Sequence, residues 1–296
     1  MYDIESLYEA TSVADACRAL AEDPQAMVVA GGTDVLVKVR AGKFAGAHLV
    51  SIHELHDELD GVTLAPDGTV EIGPITWFHH VTTSPVARER VLTLADACDT
   101  PGGPQLRVSG TIGGNVCNAA TSADTASTLV AYGALLDLAS VRGTRTVPID
   151  EWYTGPGRCV RERDEVLTKI RIPRQNYEGF TGHYFKYGKR RALEIATMGC
   201  CCLVKLGEDK RTIEDIRLAF GVAAPTPIRT RGAEDAVRGM DVAQAAEKIG
   251  QLALAECHPR DSWRASKDFR EQLIKEMSRR SLVEAARKGG ADVSWT

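Results

Sequence analysis

The chain has 296 residues, 44% hydrophobic and 26% charged, a composition of globular proteins with room for one large domain or a few smaller ones. Lys and Arg number 36 against 40 Asp and Glu, a formal charge of −4 that gives no overall electrostatic case for nucleic acid or an anionic membrane as partner. The opening MYDIESLYEATS lacks the basic start and apolar stretch of a signal peptide, and no apolar run approaches the ~18 residues of a membrane span, so a cytoplasmic location is expected.

TSVADACRALAEDP reads as a helix that Thr11 or Ser12 can cap and Pro24 closes, and AMVVA, 26–30, as a buried strand ending abruptly at GGTD. Residues 61–80 alternate around an Asp-Gly turn as a hairpin would, and VARERVLTLADAC, 86–98, reads as a helix. A second hairpin is expected over 135–149 around Arg142-Gly143, and a strand in 164–173 that ends at proline. The composition breaks near 171–182. Beyond it lie strands at HYFKYG, MGCCCLVKL and EDIRLAFGVA, a helix over about 241–257, and a long helix starting near Ser262. Phe269, Leu273, Met277 and Val283 are assigned to its inner face and Gly289-Gly290 to its stop. Strands followed by helices argue for an α+β arrangement.

Eight cysteines occur with no C-x-x-C spacing. Neighbouring strand residues point to opposite faces, so at most Cys200 and Cys202 of the GCCC run can share one, and buried thiols rather than a metal site are expected. HELH, 53–56, is one residue short of H-E-x-x-H and is read as a solvated helix or turn. Neither G-x-G-x-x-G nor a P-loop is present, nor a G-x-S-x-G elbow.

Two glycine turns remain, AGGTD at 30–34 and TIGGN at 111–115. Each can be a plain turn. Brought together, their backbone amides can hold a pyrophosphate from both sides without a lysine.

AGGTDVLVKVR and TIGGNVCNAATSADT resemble the two FAD-binding signatures of the flavoprotein subunit of molybdenum-containing hydroxylases. FKYGKRRALEIAT, LAFGVAAPTPIR and SWRASKDFR resemble later segments of that subunit, in the same order and over nearly the whole chain. Among these proteins the chain is most similar to the separate FAD-binding subunit of bacterial xanthine dehydrogenases. The resemblance implies a PCMH or vanillyl-alcohol-oxidase type FAD-binding domain over 1–176, in subdomains of about 1–54 and 55–176. A C-terminal α+β domain, 177–296, with a three-stranded sheet packed on helices completes it.

The resemblance also implies non-covalent FAD whose diphosphate contacts Ala30, Gly31, Gly32, Thr33, Asp34 and Val35 on one side and Thr111, Ile112, Gly113, Gly114 and Asn115 on the other. On this view the run is small because a dinucleotide lies against its backbone. Asp124 matches an aspartate near the adenosine half, while Leu167 and Lys186 match positions beside the flavin ring. Glu194 stands where relatives carry aspartate, with Arg190 retained as its candidate partner, and DTPGGPQLR lacks the aromatic residue that some relatives place over the flavin. No metal or iron–sulfur cluster is expected in this chain.

The implied function is electron transfer from the [2Fe-2S] clusters of a small subunit through FAD to NAD+, while a molybdopterin-binding large subunit hydroxylates a purine. No catalytic side chain is then required here, and the chain works in a hetero-oligomer. Two alternatives are a flavoprotein subunit of carbon monoxide, nicotinate or aldehyde dehydrogenase, and a non-catalytic nucleotide-binding assembly protein.

Overall fold

A computed structural model describes residues 2–293. The chain opens with β1 (Ile4–Glu9), α1 (Val13–Glu22), β2 (Ala26–Val29), α2 (Val35–Arg40) and β3 (Ala47–Ser51). The three strands pair in parallel in the order β1-β3-β2. Ser12 caps α1 by accepting from the Asp15 amide, and Ala16, Cys17 and Leu20 fill the space against the second sheet. The strand at β2 falls where expected. Two others do not announce themselves: every residue of β1 is exposed at the sheet edge, so no alternation marks it, and β3 follows a glycine-rich loop as a five-residue run.

Next come α3 (His56–Leu59), β4 (Val62–Leu64), β5 (Val70–Ile72), α4 (Phe78–Thr83), α5 (Pro85–Arg90), α6 (Leu92–Cys98), α7 (Pro104–Arg107), α8 (Ile112–Asn118) and α9 (Ala126–Ala131). They are followed by β6 (Leu135–Ser140), β7 (Gly143–Pro148), α10 (Ile149–Trp152), β8 (Tyr153–Gly155), β9 (Arg158–Cys159) and β10 (Val166–Ile172). Both expected hairpins form, and with β10 they make an antiparallel sheet in the order β4-β5-β10-β6-β7. The single helix expected over 86–98 is instead two. It breaks at Val91 (φ −134°, ψ 48°), which lets fully buried Val91 and the inner face of α6 turn into the core together. HELH is a turn over His53 and Glu54 whose last residue, His56, starts the short α3.

The last third carries β11 (Thr181–Tyr187), β12 (Met198–Leu206), β13 (Ile213–Gly221), β14 (Ile228–Arg229), α11 (Arg231–Val237), α12 (Val242–Glu256) and α13 (Lys267–Lys288). The three long strands pair antiparallel as a sheet, and the two-residue β14 adds a short fourth at its edge. This sheet is buried on both faces. Cys201, Leu203 and Ala219 pack toward α6 and α9, whereas Cys200, Cys202, Val204 and Phe220 pack toward α12 and α13. The cysteine run thus alternates faces, and burial pushes the Cys200 thiol up to about 12. Packing toward α6 is so close that a Cβ at Gly182 would lie 2.3 Å from the Thr93 hydroxyl.

The long helix starts at Lys267 rather than near Ser262, capped by Ser266, because 262–265 closes into its own turn. Leu273, Met277 and Val283 lie on its buried face. Phe269 does not: it is 41% exposed and meets Tyr187 edge-on, at 5.6 Å between centroids. Gly289 caps the end.

Candidate dinucleotide-binding cleft

A cleft of about 690 Å³ runs between the turn after β2, helix α8, the edge of β10 and the loop between β11 and β12. That volume is within the range of small-molecule sites. Residues 30–35, Thr111, Gly113, Gly114, Asn115, Asp124 and Leu167 line it.

The AGGTD turn is built by two glycines with separate jobs. A Cβ on Gly31 would stand 1.8 Å from the carbonyl oxygen of Ser109, so only glycine lets this turn cross the chain just ahead of α8. Gly32 has φ +69°, the left-handed conformation that glycine adopts without cost. Among the described residues no protein acceptor takes the amides of Gly31, Gly32, Thr33, Asp34 or Val35. Five successive amides left open beside a cleft form a backbone nest for an anion. Lys38, one turn into α2, stands beside them: its Nζ lies 2.5 Å from Asp34 Oδ2, 5.7 Å from the Phe44 centroid, and donates to Asn118 Oδ1 at 2.7 Å.

TIGGN proves to be a helix start, not a free turn. Thr111 is the N-cap of α8 and its hydroxyl accepts from the Gly114 amide at 3.1 Å. The Ile112 amide goes to Thr76 O, that of Gly113 to Pro74 O, and that of Asn115 to Thr111 O. The amides of Ile112, Gly113, Gly114 and Asn115 are therefore committed within the protein. Ile112 is fully buried in the core and, alone among residues 111–115, does not line the cleft. Gly113 is small because a Cβ would meet Pro74 at 2.4 Å. Gly114 differs: it is exposed and lines the cleft, and the one atom its Cβ would crowd is the capping Thr111 hydroxyl, at 2.8 Å. Fully buried Trp152 fixes the helix from behind, donating Nε1 to Val116 O at 3.1 Å.

Asp124 and Lys186, assigned to opposite halves of a dinucleotide, meet each other. Lys186 Nζ donates to Asp124 Oδ2 at 2.9 Å and to Thr100 O at 3.0 Å, and the Tyr184 hydroxyl donates to Asp124 Oδ1 at 2.9 Å. Burial pushes the Asp124 carboxyl up, against the pull of Lys186 and Tyr184. Lys186 thus stands behind the cleft wall that Asp124 forms, as the cation that keeps a buried carboxylate paired. Leu167 lines the cleft where β10 has a register shift, next to Glu165. Glu165 accepts from Arg145 at 2.6 and 2.8 Å and from the Glu162 amide at 2.7 Å. Burial would raise its carboxyl, but these bonds hold it below the ordinary value.

The remaining wall is the loop after β11. Arg190 Nε donates to Glu194 Oε2 at 2.9 Å, so the expected pair forms. Leu193 adopts φ +54° and donates its amide to Gly102 O, bringing Leu193, Glu194 and Ile195 over the cleft. Sequence reasoning missed Lys38 and Arg161, the two cations on the wall. For Lys38 the signal was its spacing of four residues after Asp34; for Arg161 it was hidden in a charged loop, where its guanidinium holds Glu165 O at 2.7 Å.

Fold and cleft together define a flavoprotein-type oxidoreductase subunit: an FAD-binding part joined to a C-terminal domain with a small sheet. Residues 2–175 match the family described as FAD binding domain in molybdopterin dehydrogenase, and residues 183–285 match CO dehydrogenase flavoprotein C-terminal domain. The chain is 42% identical to the xanthine dehydrogenase FAD-binding subunit of Escherichia coli O157:H7, over 98% of this chain and 99% of that one. It is 29% identical to the carbon monoxide dehydrogenase medium chain of Hydrogenophaga pseudoflava, over 87% and 88% of the two chains. A solved chain of the carbon monoxide dehydrogenase from H. pseudoflava superposes with a TM-score of 0.91 at 28% identity, covering 98% of this chain and 99% of that one. The chain belongs to the FAD-binding subunits of the molybdenum hydroxylases. No helix among the described residues is long and apolar enough to cross a membrane.

Proposed function

We propose that the chain is the electron-transfer subunit of a xanthine dehydrogenase-type hydroxylase, taking electrons from a [2Fe-2S] small subunit and passing them to NAD+, while a molybdopterin large subunit hydroxylates a purine. The observation that carries the cofactor assignment is the run of unbonded amides from Gly31 to Val35 on the wall of the cleft that the exposed Gly114 also lines. This donor set suits the diphosphate of non-covalently bound FAD, with Lys38 adding positive charge. Bound there, FAD supplies the exchange between single electrons from a cluster and a hydride to nicotinamide.

The protein's own residues bind and orient. Thr33 and Asp34 shape the turn, Thr111 and Asn115 fix the start of α8, and Leu167 gives the ring an apolar neighbour. Asp124, held rigid by Tyr184 and Lys186, presents a carboxylate edge suited to a ribose hydroxyl. Lys186 acts through Asp124 rather than by direct approach to the ring. The division into residues 1–176, with subdomains of about 1–54 and 55–176, and 177–296 belongs to the same proposal; family matches that stop at 175 and resume at 183 support its main break.

An anaerobic NADH titration of the FAD-reconstituted chain, followed by visible absorption, tests this reading. Bleaching of the flavin spectrum is the expected result. Bound flavin that NADH cannot reduce would remove NAD+ as the acceptor, and failure to retain flavin even with the partner subunits present would overturn the cofactor assignment.

A further inference from the structure

We propose that the surface around Trp263 is the docking site for an acidic face of the partner subunit that delivers electrons to the cleft; this rests on the chain working within a multi-subunit enzyme. Trp263 is 77% exposed, more than any other large apolar side chain among the described residues. It is also held in place. Ser262 and Ala265 exchange backbone bonds of 3.0 and 3.2 Å, so Trp263 and Arg264 form the tip of a closed turn. Arg270, fully buried, clamps that turn by donating to Ser262 Oγ at 2.8 Å and to the carbonyl oxygens of Arg260 and Thr197. An indole left in water forgoes the burial that a partner surface can restore. A rigid exposed Trp beside arginines is the composition of an interface hot spot, because little side-chain entropy is left to lose on binding.

The charge around it selects the partner. Arg264 Cζ lies 4.2 Å and Lys189 Nζ 5.9 Å from the indole centroid. Among the described residues Lys189, Arg191, Arg260, Arg264 and Arg270 make no ion pair. The acids in these two segments offset them only in part: Glu194 is taken by Arg190 and Glu271 faces Lys267 at 3.7 Å, while Asp261, bonded by the Lys267 amide, keeps its charge beside Arg260. Asp268 remains exposed beside the helix start. Lys189, Arg191, Arg260 and Arg264 against unpaired Asp261 and Asp268 leave a local positive excess, in a chain of net charge −4, that an acidic protein surface complements. A nucleotide fits less well, since cations already occupy the indole face where a base would stack.

The patch is continuous with the cleft. Arg270 holds the Thr197 carbonyl, and Thr197 closes the loop back onto Tyr187 at 2.8 Å. That loop carries Lys189 and Arg191 at one end and the cleft-lining Leu193, Glu194 and Ile195 at the other. A partner seated on Trp263 therefore touches the same loop that walls the cleft.

The test uses this chain and its separately purified partner subunits, with assembly measured by titration at low and high salt. Trp263→Ala should weaken assembly about thirtyfold, the factor for a hot spot of about 2 kcal/mol. Lys189→Glu with Arg264→Glu should slow association at low salt and flatten its salt dependence. In the isolated variants flavin content, Tm and the NADH concentration for half-reduction should stay unchanged. Unaltered assembly in both variants would overturn the proposal, and so would intact assembly with a raised NADH requirement, which would mark the patch as a nucleotide site. If NADH reduces no form of the chain, the acceptor reading fails while the assembly titration still decides this one.

Discussion

The two glycine motifs look alike as text and do opposite things in the fold. AGGTD follows a parallel strand and, with Val35, leaves five amides unbonded on the cleft wall, whereas TIGGN starts a helix whose first amides are all bonded within the protein. Gly31 and Gly113 are small because backbone or proline lies against them, at 1.8 and 2.4 Å from where a Cβ would be. Only Gly114 is small with the cleft in front of it. A glycine pair therefore does not by itself mark a ligand; what matters is whether the neighbouring amides remain unbonded and which way the missing Cβ would point.

Substitutions can break this contrast. Gly31→Ala should be the most damaging, costing about 3 kcal/mol or more, since the clash is with main chain that cannot step aside. Thermal unfolding should show a large fall in Tm together with loss of flavin, and a stable Gly31→Ala protein would contradict the crossing. Gly113→Ala should cost about 1–3 kcal/mol by overpacking against Pro74, with bound flavin lost only in proportion to the unfolded fraction. Ala119 ends α8 at φ +51°, and Ala119→Gly should raise stability by about 1 kcal/mol or less, read as a small rise in denaturation midpoint.

Acid gives a separate handle on the cleft wall. Glu165 is held below its ordinary value of 4.5 in the folded chain, so its contribution is complete above that value and is lost as pH falls through the lower folded one. The stability advantage of the native chain over Glu165→Gln should therefore be constant at neutral pH and shrink below about pH 4.5. An advantage that grows on acidification would show that Glu165 is not held as its bonds to Arg145 suggest.

Much of the architecture was legible because periodicity reports burial. The hairpins around Asp67-Gly68 and Arg142-Gly143, β2 and the three long C-terminal strands all declare themselves by apolar runs or turn residues. β1 was illegible because an exposed edge strand needs no apolar face, and the break at Val91 because tertiary packing overrode a good helical pattern. In the site, residue types in the glycine motifs were readable, but the partners of their amides were not, since these come from Pro74 and Thr76, distant in sequence. The meeting of Asp124 with Lys186, 62 positions apart, likewise comes from β11 passing the loop between α8 and α9.

The central claim is that FAD is held between the open amides of residues 31–35 and the bare backbone of Gly114. The most direct measurement is an equilibrium FAD titration of the apo-chain, followed by flavin fluorescence, for the native protein and Gly114→Val, with Tm recorded for both. The account predicts one FAD bound per native chain and an affinity weakened about tenfold or more in Gly114→Val, a loss of ~1.4 kcal/mol or more, in folded protein whose Tm falls only as far as the roughly 1 kcal/mol of the displaced Thr111 cap takes it. Gly114→Val binding FAD as tightly as the native chain would contradict it.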